Sequence, residues 1–169
     1  FRDYILSFLF LRYLSDNYQE ATKKELGGDY PIPNYDDDAW WNVTIEIDDS
    51  GKKIEKKHDK TPLQYWYDKN SNDVKTFEEM MKKRTHYVIH PNYLWENIAS
   101  LAQKHHNDLL KTLEAGFKYI EQESFNSTFG GLFSEINLSS EKLGRTYKDR
   151  NNRLCSIISK VAEGLSKFS

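Results

Sequence analysis

Apolar residues recur along most of this chain at three- and four-residue intervals, the spacing that lays one side of a helix against a core. One stretch alternates residue by residue, as a strand does. Residues 1–26 predict a helix that is apolar almost all round through Ile5, Leu6, Phe8, Leu9, Phe10 and Leu11, then polar through Asp16, Asn17, Gln19, Glu20, Lys23 and Lys24. Such a helix is expected at the centre of a bundle. Lys23 and Lys24 suit its negative C-terminal end, Gly27-Gly28 can supply a left-handed stop, and Pro31 and Pro33 bar continuation.

The alternation falls in Val43-Thr44-Ile45-Glu46-Ile47. With a turn at Asp49-Ser50-Gly51 and a return through Lys53-Ile54-Glu55-Lys56, it predicts a β-hairpin excursion from a helical body. Pro62 then opens a short helix with Leu63, Tyr65, Trp66 and Tyr67, and Asp73 caps the next, whose buried side is Val74, Phe77, Met80 and Met81. An extended Tyr87-Val88-Ile89 leads to Pro91, which opens a helix carrying Leu94, Trp95, Ile98, Leu101 and Ala102. Asn107 or Asp108 caps another, with Leu109, Leu110, Leu113, Phe117 and Ile120 inward. Residues 126–136 predict a short helical segment made permissive by Gly130-Gly131. Finally Ser139 caps a long helix, Glu141 sits in its first turn, and Leu143, Tyr147, Leu154, Ile157, Ile158, Val161, Leu165 and Phe168 form its buried stripe. The fold class is therefore mainly α, an irregular multi-helix bundle of about six helices. It carries a small β-hairpin insertion near residues 38–57, all within one domain over residues 1–169.

Arg150 stands inside the last stripe. A guanidinium cannot stay unpaired in an apolar seam, so it must meet a carboxylate, emerge at a gap or face a partner. Charge sharpens this. From residue 139 onward seven bases (Lys142, Arg145, Lys148, Arg150, Arg153, Lys160, Lys167) face three acids (Glu141, Asp149, Glu163), a local balance of +4 on a chain whose net charge is −2. Such asymmetry fits one face meeting a polyanion, and excludes a protein that coats nucleic acid by bulk charge. The leading reading of the bases is a solvated helix face. Phosphate or partner contact through Lys142, Arg145, Lys148, Arg150 and Arg153 is the functional alternative.

At 169 residues, with 30% charged and 14% aromatic residues, the chain can close its own core without disulfides or metal. Its sole cysteine, Cys155, reads as a small packed apolar group and fits a reducing cytoplasm. The apolar run at residues 4–11 is too short to span a bilayer, which takes about 20 residues. It also lacks the cleavage site of a secretory signal. The start at Phe1, inside a helical pattern, suggests a piece of a longer protein.

Catalytic equipment is not expected. His86 and His90 share a side only if fully extended, His105 and His106 point apart on a helix, and no carboxylate or thiol stands beside them at ligand spacing. Asp36-Asp37-Asp38 cannot converge on one cation from a helix or a strand and reads as a solvated loop. Phe129-Gly130-Gly131-Leu132 has neither the spacing nor the preceding strand of a cofactor-binding turn. The four prolines, Pro31, Pro33, Pro62 and Pro91, are never adjacent. A site built from Asp37, His58 and Asp59 remains as a residual reading.

Three blocks carry a family likeness: YILSFLFLRYLSDNYQEA at residues 4–21, HYVIHPNYLWENIASLA at 86–102, and LFSEINLSSEKLGRTYKDRNNRLCSIISKV at 132–161. In that order, they make the chain resemble the N-terminal helical domain of the modification subunit, the DNA methyltransferase, of type I restriction-modification systems. Residues 38–57 depart from the pattern as an insertion. The resemblance implies a bacterial or archaeal cytoplasmic protein whose catalytic domain lies outside this chain and methylates adenine N6 with S-adenosylmethionine. It implies as partners the specificity subunit, a second modification subunit, the restriction subunit and double-stranded DNA, and no membrane. The domain itself would serve assembly and closure around DNA, with no catalytic, cofactor or metal residue. A self-sufficient DNA-binding domain acting through the C-terminal basic helix is the alternative.

Overall fold

A 25-residue helix, α1 (Arg2–Leu26), opens the computed structural model, which describes residues 2–123 and 136–166. Gly27 ends it with φ of 53°, the left-handed stop a Cβ would resist. The hairpin follows as β1 (Trp41–Ile47) and β2 (Lys53–Asp59), antiparallel with Ile47 opposite Lys53 and Trp41 opposite Asp59. Four helices come next: α2 (Pro62–Lys69), α3 (Val74–Thr85), α4 (Trp95–Gln103) and α5 (Leu109–Glu123). The last described helix is α6 (Tyr147–Ser166). The mainly helical architecture with one small hairpin is the expected one.

One core joins these elements. Phe8, Leu11, Leu14 and Tyr18 of α1 meet Leu63, Phe77, Met81, Ile98, Leu113, Ile120, Leu154 and Ile158 from five other helices, and the extended Tyr87-Val88-Ile89 is buried among them. Helix α6 packs along α4 and also touches α1 and α5. Cys155 is fully buried, and burial pushes its thiol up to about 11, so it packs as an apolar group.

Several helix ends are satisfied by side chains from distant helices. Ser15 of α1 accepts from the Trp95 amide at 2.9 Å, closing the start of α4. Asn151 of α6, fully buried, accepts from the Leu110 amide at 2.8 Å and donates to the His106 carbonyl at 2.9 Å, closing the start of α5. These groups would otherwise be orphan donors and acceptors in the interior. A further polar tie joins three helices: Glu78 of α3 accepts from Tyr67 of α2 and Tyr119 of α5, at 2.9 and 2.7 Å.

The structure corrects five expectations. Helix α6 begins at Tyr147 and not at Ser139. Residues 137–146 instead form turns: Asn137 accepts from the Ser139 amide, Ser140 from that of Lys142, and the first turn of α6 is bonded by the Thr146 hydroxyl, which accepts from the Asp149 amide. Gly144 explains the late start. Its φ is 156°, and a Cβ there would lie 2.6 Å from that of Asp149 and 2.9 Å from the Arg150 amide, so only glycine lets the chain turn this close to the helix. Pro91 opens a single tight turn, and α4 starts four residues later. Asp73 precedes α3 as expected, but its side chain accepts no capping bond. Met80 is exposed. Helix α1 lies with Ile5, Leu6 and Tyr13 exposed, so its apolar first half is not surrounded. The helical segment expected at residues 126–136 lies almost wholly outside the described residues, as do Phe168 and the side chain of Leu165.

Candidate interface at the hairpin and the start of helix α6

The hairpin meets the body through polar side chains. Alternation in β1 turns Thr44 and Glu46 inward and leaves Val43, Ile45 and Ile47 at 53, 68 and 67% exposure, the reverse of a strand that buries its apolar side. The His106 ring lies between α4 and α5. Its Nδ1 accepts from the Asp108 amide at 3.1 Å, so Nε2–H donates to the Thr44 hydroxyl at 3.0 Å. Glu46 accepts from the Asn107 amide at 3.3 Å and pairs with Lys56 at 2.7 Å. Burial works against its charge, but Lys56 and the amide outweigh it and hold the carboxyl below its ordinary value.

On β2, the buried His58 hydrogen-bonds through Nε2 to the Asn97 carbonyl oxygen, whose amide nitrogen in turn donates to the Asn92 carbonyl. Its Nδ1 stands 3.3 Å from the Ser100 hydroxyl and 3.4 Å from the Lys104 ammonium. Burial holds this imidazole below its ordinary value, and Lys104 adds to the effect. Asp59 pairs with Lys104 at 2.8 Å, which outweighs burial and keeps its carboxyl low. The base of the hairpin is sealed by Trp40, whose ring stacks on Tyr65 of α2 with centroids 4.1 Å apart.

The residual catalytic reading does bring His58 and Asp59 together with a serine, but the chemistry is that of a clamp. The nitrogen that would take the Ser100 proton faces an ammonium, which disfavours the imidazolium, and the other nitrogen is committed to Asn97. Asp37 is elsewhere, accepting from the Ala39 amide. Among the described residues, no three His, Cys, Asp or Glu side chains gather as a metal site. No described helix is long and apolar enough to cross a membrane.

The basic residues singled out in the sequence do not form one strip. Lys142 and Arg145 are exposed on the turns before α6, and Arg153 is exposed on the helix. Lys148 reaches the hairpin tip, 2.9 Å from Asp49, with both side chains largely exposed. Arg150, two residues on, points about 160° away around the helix. It is half-buried: one terminal nitrogen donates to the Arg145 carbonyl at 3.1 Å, and its Nε finds no hydrogen-bond partner among the described residues. Among the described residues Arg150 meets no carboxylate. The polar residue that occupies the stripe's centre is Asn151, which sequence reading passed over. Its signal was present, since it falls four residues after Tyr147 and three and seven before Leu154 and Ile158.

A model of the HsdM N-terminal domain matches residues 1–161, nearly the whole chain, with the hairpin inside the span. The chain belongs to the HsdM N-terminal domain family. In fold it is similar to a type I restriction-modification system methyltransferase subunit from Streptococcus thermophilus, at 23% identity and a TM-score of 0.50. That likeness covers 60% of this chain and 22% of the other, so the chain spans less than a quarter of the subunit it matches. The family match ends at Val161, the last buried stripe residue of α6 that is described.

Proposed function

We propose that this domain is the non-catalytic N-terminal module of a type I restriction-modification DNA adenine-N6 methyltransferase subunit, serving subunit assembly and closure around DNA in a bacterial or archaeal cytoplasm. The observation that carries the reading is the family match over residues 1–161, in a fold that occupies about a fifth of a methyltransferase subunit. The specificity subunit, a second modification subunit, the restriction subunit and double-stranded DNA are its partners on this reading.

S-adenosylmethionine would supply the methyl group, held by the remainder of the parent. The residues here do not fit it. Among the described residues the turn from β2 into α2, Lys60-Thr61, holds no glycine, the Thr61 hydroxyl is taken by the Gln64 amide, and the polar atoms of His58, Asn97 and His106 are bonded to the protein. What the residues do is tie the hairpin to α4, to the link before α5 and to α6 through polar contacts.

Deleting residues 1–161 from the full-length subunit should leave binding of S-adenosylmethionine intact and abolish the stable complex with the specificity subunit on DNA. Equal complex formation by the deleted subunit would sink the proposal. The second reading, direct phosphate contact, draws on the exposed Lys142, Arg145 and Arg153. It requires duplex affinity that falls steeply with salt and drops when these bases are replaced.

A further inference from the structure

Strand β1 leaves half of its main chain unbonded by β2. In an antiparallel pair, residues alternate between exchanging both main-chain bonds with the partner strand and turning both groups away. The Lys60 amide donates to the Trp40 carbonyl and the Asp48 amide to the Lys52 carbonyl, so Asn42, Thr44 and Glu46 bond β2 while Val43, Ile45 and Ile47 turn N–H and C=O outward. On the far edge the outward residues of β2 are Lys53, Glu55 and Lys57, all charged, as in edges guarded against pairing. Those of β1 are all apolar.

Val43 also lines an open cleft of about 590 Å³, whose opposite wall is the chain's own α5 and the turn Pro91–Tyr93. A folded domain approaching β1 would meet that wall. A single extended chain needs only about 4.8 Å beside β1. The polar groups left open in the cleft are those that such a chain and its side chains can bond. Among the described residues, the Asn42 and Asn92 carboxamides accept and donate no hydrogen bond, the Asp108 carboxylate meets only the His106 ring at 3.9 Å, and the Lys111 ammonium stands 6.0 Å over the Tyr147 ring without a carboxylate.

We infer that the cleft takes an extended peptide segment of another protein, added as a third strand beside β1. Its main chain bonds the outward N–H and C=O of Val43 and Ile45. Its side chains alternate between the two faces. One set lies on the outer face beside Val43 and Ile45 and is apolar, and the other points into the cleft, where an acid pairs with Lys111 and a base with Asp108. The inference follows from the hairpin and α5 alone, and its failure would leave the assembly role proposed above standing.

The probe is a blocked heptapeptide in which valine alternates with one lysine, one glutamate and flanking threonines. Titrated into the purified, isotope-labelled protein, it should shift the amide resonances of Val43, Ile45, Lys111 and Thr112 and saturate. N-methylation of alternate peptide residues should split into two classes: the set whose N–H faces β1 loses at least ~10-fold in affinity, and the other set keeps it. Val43→Pro removes an outward N–H and no bond to β2, so it should also cost ~10-fold, while Lys57→Pro on the guarded edge should change nothing. If Val43→Pro fails to fold, the methylated peptides decide alone. No saturable shift, equal binding of the two methylated sets, or a concentration-dependent dimer that the peptide disperses would overturn the inference.

Discussion

The helical body and the hairpin are held by opposite kinds of contact. In the body, apolar stripes from six helices close on one another and a few polar groups finish helix ends, as Ser15 and Asn151 do, or tie helices together, as Glu78 does. Under the hairpin, the seam is made of Thr44, Glu46, His58 and Asp59 against His106, Asn97, Ser100 and Lys104, while the apolar residues face out. The first kind of seam gains free energy from area removed from water. The second gains little net per hydrogen bond but loses heavily if one partner is removed. The body should therefore set global stability, and the hairpin should be a unit that can loosen by itself.

The largest expected effect lies in the body. Ile158→Ala empties a fully buried position of α6 and should cost about 3 kcal/mol in chemical denaturation, with helix and hairpin signals lost together. Asn151→Ala should cost about 2 kcal/mol, because the Leu110 amide and the His106 carbonyl are left buried without partners. Replacement of His58 by alanine tests the other side of the contrast. Amide exchange should accelerate through β1 and β2 while α4 and α6 stay protected, and loss of protection in α6 would break the distinction.

Acid sharpens it further. His58 and His90 are both held below the ordinary imidazole value by burial, so the unfolded chain binds protons more readily than the folded one. Their contribution is complete above the unfolded value near 6.5 and is lost as pH falls from there through the lower folded values. Thermal midpoints should drop as pH is lowered through that window, and the slope should shrink without vanishing in His58→Ala. The smallest effect belongs to Lys148→Ala. Its pair with Asp49 is solvent-exposed at both ends, and the midpoint should not move measurably.

Why the body was legible in the sequence and the hairpin only half so follows from this contrast. Periodicity reports which side of a helix must leave water, and Leu94, Trp95, Ile98, Leu101 and Ala102 were found that way. Alternation in β1 reveals a strand but not which row faces in. That choice was made by His58 and His106, more than 40 residues apart and visible only once α4 and α5 bring their partners near. The start of α6 was misplaced because Ser139 has a capping side chain, whereas the turn through Gly144 is decided by an approach to Asp149 that composition does not encode. The basic residues were identified, but their distribution over different sides awaited the boundary of α6.

The Asn151 bridge carries a consequence for biogenesis. The amide it satisfies belongs to a helix that leaves the ribosome some 40 residues earlier, and Ser15 stands in the converse position, waiting about 80 residues for the amide it accepts. A nascent chain can therefore form α4 with its end already provided for, while α5 must remain frayed at its start until α6 is synthesised.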